Sequence, residues 1–203
     1  MNRKDLKLVK YIIEELNKIK GSGTVLLDTP TTYIAKTNFF LLKGLLDLED
    51  KKGCLMTLDR PHQNMAYLLD NNDINQENIW YIDPVNNLAG EKKVYRRNVD
   101  AVNNAFEIEK LPKILEEKCK KRDDFGGLEN IDFVLIDNLG PMLNYNNIEK
   151  IQEFLRSFKD LIISQDDLIG CLVMDSNCNK ELDSIVRDHV KTIINVQKLK
   201  EDI

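Results

Sequence analysis

Lys36 and Thr37 follow a short apolar run at residues 25–27 and a turn-rich connection. In phosphate-binding loops, a lysine at this position contacts the β- and γ-phosphates, and the hydroxyl of the next residue binds Mg²⁺. Counted from Pro30, the spacing to Lys36 matches that motif, although proline replaces the first glycine. Counted from Thr29, the loop is one residue too long. The chemistry indicated by this spacing is therefore the binding of nucleotide phosphates.

The glycines that give such a loop its shape are missing from this sequence. Glycine permits the backbone angles and the close approach that let several N–H groups converge on an anion. Pro30 has no N–H group, and residues 31–34 carry side chains where the phosphate would lie. We therefore predict a nucleotide-binding architecture whose hold on phosphate is lost or badly weakened. The candidate phosphate-loop residues are Thr29, Pro30, Thr31, Thr32, Lys36 and Thr37.

Acidic residues follow several predicted strands at the point where each strand ends. They lie in residues 28–36, Asp59-Arg60, Asp83, Asp137-Asn138 and Asp175-Ser176. Because the carboxyl ends of parallel strands meet at one edge of a sheet, these residues together indicate a cation or nucleotide site there. Taken singly, each is better explained by the preference of Asp and Asn for turns and helix N-caps.

Apolar periodicity predicts the elements that position these residues. A helix is predicted at 4–20, ended by the glycines at 21 and 23, and a second helix begins after the phosphate-loop residues. Buried strands are predicted at 25–27, 53–58, 79–82, 133–136, 168–174 and 192–196. Further helices are predicted at 61–69, 99–121 with an interruption near Pro112, 148–162 and 180–188, and a surface loop at 85–98.

Strands that alternate with helices predict right-handed βαβ crossovers. The predicted fold class is therefore α/β, a three-layer sandwich with a mostly parallel central sheet. With 203 residues and no evident linker, the chain is predicted to form one domain, 1–203, with its core at 24–197.

Composition and charge narrow the range of partners. The formal net charge is −5, so nucleic acid is not expected as a partner, and Lys92-Lys93 with Arg96-Arg97 is interpreted as a solvated loop. Four cysteines without a C-x-x-C pair or metal-ligand spacing are typical of a reducing compartment. No apolar run approaches membrane-spanning length, so we expect a cytoplasmic protein without membrane insertion.

For several single residues the sequence favours a role in packing over a role in binding or catalysis. His62 and His189 belong to no Cys/His cluster, and surface helix positions are expected for both. Trp80 and Tyr81 are expected to pack within the sheet and not to stack on bases. The opening helix is expected to pack against its own sheet.

The spacing of these segments over residues 24–196 resembles that of the RecA-like ATPases of the KaiC and GvpD group found in archaea. The matching residues are Ala35-Lys36-Thr37, Thr57-Leu58-Asp59-Arg60, residues 79–83 and Leu135-Ile136-Asp137-Asn138. In that family, these segments hold the phosphate loop, a strand followed by an acidic pair, a hydrophobic strand and the Walker B strand. The sequence is most similar to a degenerate branch whose loop reads Thr-Pro-Thr-Thr and lacks the glycines.

The resemblance implies a role for each matching residue. Lys36 would contact the β- and γ-phosphates, Thr37 would bind the metal through its hydroxyl, and Asp137 would hold a magnesium-bound water. Asp59 would be the general base, although the acidic pair of the family reads Asp59-Arg60 here. The shorter side chain of aspartate would misplace an attacking water, and about 1 Å of misplacement can cost roughly 100-fold in rate. Hydrolysis is therefore not expected.

Two functions from different classes remain at this stage. The first is a non-catalytic or very weakly active protein of RecA-like fold that acts as a regulatory or protein-binding module. It would engage a protein partner or another copy of itself, and no cofactor is expected. The alternative is a slow ATPase or nucleotide sensor that binds Mg-ATP through Lys36, Thr37, Asp59 and Asp137. Nucleic-acid binding, by analogy with recombinases of the same fold, ranks third.

Overall fold

A parallel sheet of seven strands organises the chain. The computed structural model describes residues 1–85, 98–103 and 105–201, and within them the strand order is β4-β3-β2-β5-β6-β1-β7 with every neighbouring pair parallel. The predicted α/β fold with a mostly parallel sheet is thus confirmed. The strands are β1 (Gly23–Asp28), β2 (Gly53–Thr57), β3 (Ile79–Asp83), β4 (Val99–Ala101), β5 (Phe133–Asp137), β6 (Ile169–Met174) and β7 (Thr192–Asn195).

Helices cover both faces of this sheet. They are α1 (Arg3–Asn17), α2 (Ile34–Lys43), α3 (Gln63–Asp70), α4 (Leu111–Lys120), α5 (Ile148–Ile163), α6 (Lys180–Asp188) and α7 (Val196–Glu201). Within the described part of the chain, no helix is long and apolar enough to cross a membrane.

Successive residues of each strand point to opposite faces of the sheet and pack into two separate cores. Both faces are buried, which explains why the strands are continuous apolar runs in the sequence. Leu26, Met56 and Ile136 pack against the layer that contains α4, α5 and α6. Val25 and Leu55, like the other alternate residues, pack against the layer of α1, α2 and α3. The predicted three layers are therefore present, and the opening helix packs against its own sheet as expected.

The first helix is shorter than the predicted 4–20. Asn2 caps its start by accepting the Asp5 backbone N–H at 2.8 Å. At the other end, the amides of Lys18 and Ile19 bond to carbonyls three residues earlier, so the last turn tightens and the helix ends at Asn17.

The prediction of a mostly helical segment at 99–121 is wrong for its first part. Residues Val99–Ala101 form β4, which pairs with β3. Asp100 accepts hydrogen bonds from Trp80 Nε1 at 2.9 Å and from the Arg122 guanidinium at 2.9 Å. Pro112 does not interrupt the helix but lies in the first turn of α4, where a missing N–H group costs nothing.

Two other predicted boundaries move by a few residues. The last strand ends at Asn195, because its side chain accepts the Lys198 backbone N–H at 3.0 Å and caps α7, which begins at Val196. The helix predicted from residue 61 begins at Gln63. Most of the loop predicted at 85–98, with its group of four basic residues, lies outside the described residues.

His62 is a buried side chain, and the expected surface position is wrong. Its ring is 1% exposed, and Nδ1 lies 2.7 Å from Oδ2 of Asp83, which is fully buried at the end of β3. The backbone N–H of His62 donates to the same oxygen at 2.8 Å. The residue therefore ties the start of α3 to the end of a strand, and its burial is explained by this buried acceptor.

We predict that His62→Ala lowers the free energy of unfolding by about 3 kcal/mol, because it removes a hydrogen bond to a buried carboxylate and leaves a cavity. Urea unfolding followed by far-UV circular dichroism measures this loss. His189→Ala is the matched control, since that ring is partly exposed, and it is expected to cost less than about 1 kcal/mol. Equal losses in the two variants would contradict the role given to His62.

Candidate functional site

The carboxyl ends of the strands bring the predicted polar residues to one edge of the sheet. Asp28, Asp83 and Asp137 are the last residues of β1, β3 and β5, and the parallel pairing places these ends along the same edge of the sheet. Asp59 follows β2 by two residues, and Asp175 follows β6 directly. The common edge expected from the sequence is therefore present.

The connection from β1 to α2 is a tight turn. Thr29 continues the pairing with β6 by donating its N–H to Met174 O at 3.0 Å. A single 3-10 turn, Thr31–Tyr33, follows Pro30 and is closed by Tyr33 N–H donating to Pro30 O at 2.7 Å. No residue between Thr29 and Thr37 has a positive φ. The backbone thus runs directly into α2 and forms no open loop.

An internal carboxylate binds the amide of this turn. Asp175 Oδ2 accepts the backbone N–H of Thr31 at 2.8 Å and its hydroxyl at 2.8 Å. Burial acts to raise the pKa of Asp175, but the hydrogen bonds from Thr31, Asn177 and Cys178 together outweigh burial and lower it. The negative charge that a phosphate would bring to this amide is therefore supplied by the protein itself.

Lys36 and Thr37 are engaged by other parts of the chain. Lys36 Nζ lies 2.8 Å from Oδ1 of Asp5 in α1, with the side chain 45% exposed. The hydroxyl of Thr37 is buried and lies 2.9 Å from the hydroxyl of Thr29. A bound triphosphate would need the turn amide, the ammonium and this hydroxyl, so the loop as folded does not fit a magnesium nucleotide.

Asp137 and Asp59 form a second cluster on the same edge. Asn38, fully buried in α2, donates Nδ2 to Asp137 Oδ1. Asn138, in the left-handed region at φ 59°, donates Nδ2 to Asp59 Oδ2 at 3.2 Å. Burial, reinforced by the charge of Asp59 and partly offset by Arg60 and Asn38, raises the pKa of Asp137 to about 7.

Two cavities open beside these residues. One, of about 290 Å³, is lined by the turn, Lys36, Thr37 and residues of α1 and α7. The other, of about 260 Å³, lies between the ends of β2 and β5 and is lined by both Asp59 and Asp137. The described residues contain no group of three or more His, Cys, Asp or Glu side chains arranged to hold a metal.

Sequence reasoning missed two side chains of this edge, Asp5 and Asn38, and one contact, that of Asp175 with Thr31. Asp5 gave no signal, because it lies in the first turn of a charged helix. Asn38 directly precedes the apolar run at 39–42. A polar amide next to such a run is a signal that could have identified it, because buried asparagines need a specific partner. Asp175 was placed on the edge, but its bond to Thr31 spans 144 residues of sequence.

Comparison with known proteins identifies the fold. No protein-family model matches the sequence, and no curated protein matches it. Among solved structures, PH0321 from Pyrococcus horikoshii, crystallised in complex with an unknown peptide, is similar with a TM-score of 0.67 at 14% identity, over 92% of this chain and 82% of that one.

Two further solved structures are similar to this chain. The flagellar accessory protein FlaH from Methanocaldococcus jannaschii has a TM-score of 0.57 at 12% identity, covering 91% of this chain and 76% of that one. The KaiC-like protein PH0186 from Pyrococcus horikoshii OT3 has a TM-score of 0.56 at 14% identity, covering 84% and 69%. The predicted RecA/KaiC-like fold is confirmed.

We predict that Asp137→Asn stabilises the protein increasingly as the pH rises. The folded pKa of about 7 exceeds the ordinary 3.8, so the stability contributed by the protonated carboxyl is complete below about pH 4 and is lost as the pH rises through 7. The advantage of the variant over the wild type is therefore expected to grow by about 3 kcal/mol between about pH 5 and pH 8.5. Urea unfolding at several pH values measures it.

Asp175→Asn is the matched control on the same edge. Because the pKa of Asp175 is lowered, its ionised form stabilises the folded state, and the variant is expected to lose stability at neutral pH and to converge with the wild type in acid. A pH-independent effect of Asp137→Asn would contradict the buried carboxyl described above.

Proposed function

We propose that this protein is a non-catalytic binding module of RecA/KaiC-like fold, which acts by engaging a protein partner and requires no nucleotide. The observation that carries the proposal is the internal capture of the phosphate-loop groups. Asp175 binds the Thr31 amide, Asp5 pairs with Lys36, and Thr29 bonds to Thr37.

The energetics of phosphate binding support this proposal. Phosphoryl transfer depends on positioning and on charge stabilisation by preorganised donors. In this chain, Pro30 supplies no donor and the Thr31 amide already has an anionic partner. Each missing donor is worth about 1 kcal/mol or more, so the loss of several would move a micromolar site into roughly the millimolar range.

A neighbour in structure supports the choice of a protein as the partner. PH0321 was crystallised with a peptide, and it is similar over nearly the whole described body of this chain. We extend peptide or protein binding from that protein to this one, either to a separate partner or to a second copy of the chain.

One observation favours the alternative, a slow Mg-ATP-dependent ATPase or nucleotide sensor. Lys36 and Thr37 line an open cavity of about 290 Å³. The Lys36–Asp5 pair is partly exposed, and such pairs contribute little, typically about 0–1 kcal/mol, so the ammonium could be redirected at small cost. In that function, Asp59 would act as base and Asp137 with Thr37 would hold the metal.

We expect about 1 mM Mg-ATP to raise the melting temperature by no more than about 1 °C. A micromolar site would add about 4 kcal/mol of stability at that concentration and raise the melting temperature by about 10 °C. Differential scanning fluorimetry measures the shift, and a phosphate-release assay on the same samples measures turnover.

Lys36→Ala and Lys43→Ala are the paired variants for this test. Both lysines lie on α2 and make one ion pair each, but Lys43 pairs with Asp47 away from the turn. We expect ATP to affect the wild type and both variants alike. Stabilisation by micromolar Mg-ATP, or turnover, that is lost in Lys36→Ala and kept in Lys43→Ala would overturn the proposal in favour of the alternative.

A further inference from the structure

The cavity of about 260 Å³ at the ends of β2 and β5 combines two kinds of wall. Asp59 and Asp137 line it with carboxylates, and Ile34, Met65 and Leu68 line it with apolar groups from α2 and α3. Its volume lies below the roughly 300–1,000 Å³ typical of small-molecule sites, so it is closer to the size of one long side chain.

The charge of Asp137 is incompletely matched by the chain itself. The residue is only 8% exposed, and one carboxylate oxygen accepts the amide of Asn38. The other oxygen has no hydrogen-bond partner among the described residues, and Asp137 lines the cavity. An oxygen that lines a cavity without a donor from the protein is open to a hydrogen bond from a ligand.

The neighbouring cation does not complete the site. Arg60 Nε lies 3.5 Å from Asp59 Oδ2, beyond good hydrogen-bond distance, and the Arg60 side chain is 62% exposed. Two carboxylates thus face one loosely held guanidinium, and the cavity between them favours a further cation.

The lip of the cavity carries an exposed aromatic ring. Tyr67 of α3 lines the cavity and is 70% exposed, the largest exposed fraction among the large hydrophobic residues of the described chain. Aromatic faces at such positions stack on the planar guanidinium group of arginine.

We propose that this cavity binds an arginine side chain of a protein partner, with the guanidinium between Asp59 and Asp137 and the aliphatic stem along Ile34, Met65 and Leu68. This inference rests on the proposed protein-binding function and assigns its site. Arginine fits better than lysine, because its rigid fork of donors can bridge two carboxylates while its plane stacks on Tyr67. A divalent cation fits poorly, because it needs about six oxygen ligands and the lining supplies two carboxylates beside the apolar side chains of α2 and α3.

A titration with Nα-acetyl-arginine-N-methylamide, followed by amide NMR, tests the site directly. We expect shifts confined to residues around the cavity and a dissociation constant of about 1 mM, as befits a single side chain. The citrulline analogue, which has the same shape without the charge, is expected to produce no saturable shift. The lysine analogue is expected to bind at least about threefold more weakly.

Three variants in the cavity and one control outside it have different expected effects on binding. Asp59→Asn and Asp137→Asn are each expected to weaken binding of the arginine probe at least about fivefold. Arg60→Gln is expected to tighten it, because the variant removes the competing cation. Asp175→Asn, on the same edge but outside the cavity, is expected to leave binding unchanged.

The outcomes separate this inference from the proposed function. Equal shifts with the citrulline or lysine analogue, or binding unaffected by Asp59→Asn and Asp137→Asn, would overturn the arginine site. A Mg-ATP titration on the same sample reports independently. No response to either ligand would overturn the site and leave the proposed function standing, whereas micromolar ATP binding would overturn the proposed function whatever the arginine probe shows.

Discussion

In-register parallel pairing is the constraint on which the rest of this molecule depends. Because all seven described strands run the same way, the polar residues that end several of them arrive together at one edge, where their side chains need partners outside the sheet. The chain satisfies these groups largely from within. Asp28 accepts both the amide and the hydroxyl of Ser176, and Asp175 accepts both from Thr31.

The two halves of this edge differ in how fully they are satisfied. Around the turn after β1, the Thr31 amide, the Lys36 ammonium and the Thr37 hydroxyl each have a partner within the described part of the chain. Around the end of β5, the carboxyl groups of Asp59 and Asp137 lie near one exposed arginine, Arg60. Burial raises the pKa of Asp137 to about 7. The polar groups of the turn after β1 are thus bonded to other parts of the chain. The carboxyl groups at the ends of β2 and β5 instead line a cavity.

The sequence predicts the layers of this fold well, because strands buried on both faces are continuous apolar runs and helices show one stripe. It fails where a polar contact decides the structure. The three-residue strand β4 has no apolar run, and it is held by pairing with β3 and by Asp100. His62 is buried because its ring pairs with the buried carboxylate of Asp83. Asn38 hydrogen-bonds to Asp137, which lies 99 residues away in the sequence. Such contacts join residues that are far apart in the sequence, so the local sequence pattern around either residue does not predict them.

The contacts that close the turn after β1 come from separate parts of the chain. Asp175 follows β6, Asp5 belongs to the first helix, and Thr29 directly follows the first strand. One substitution can release only one of the captured groups and restores no glycine to the turn. The closed form of the turn is therefore buffered against point mutation, because the loss of any one contact leaves the other two in place.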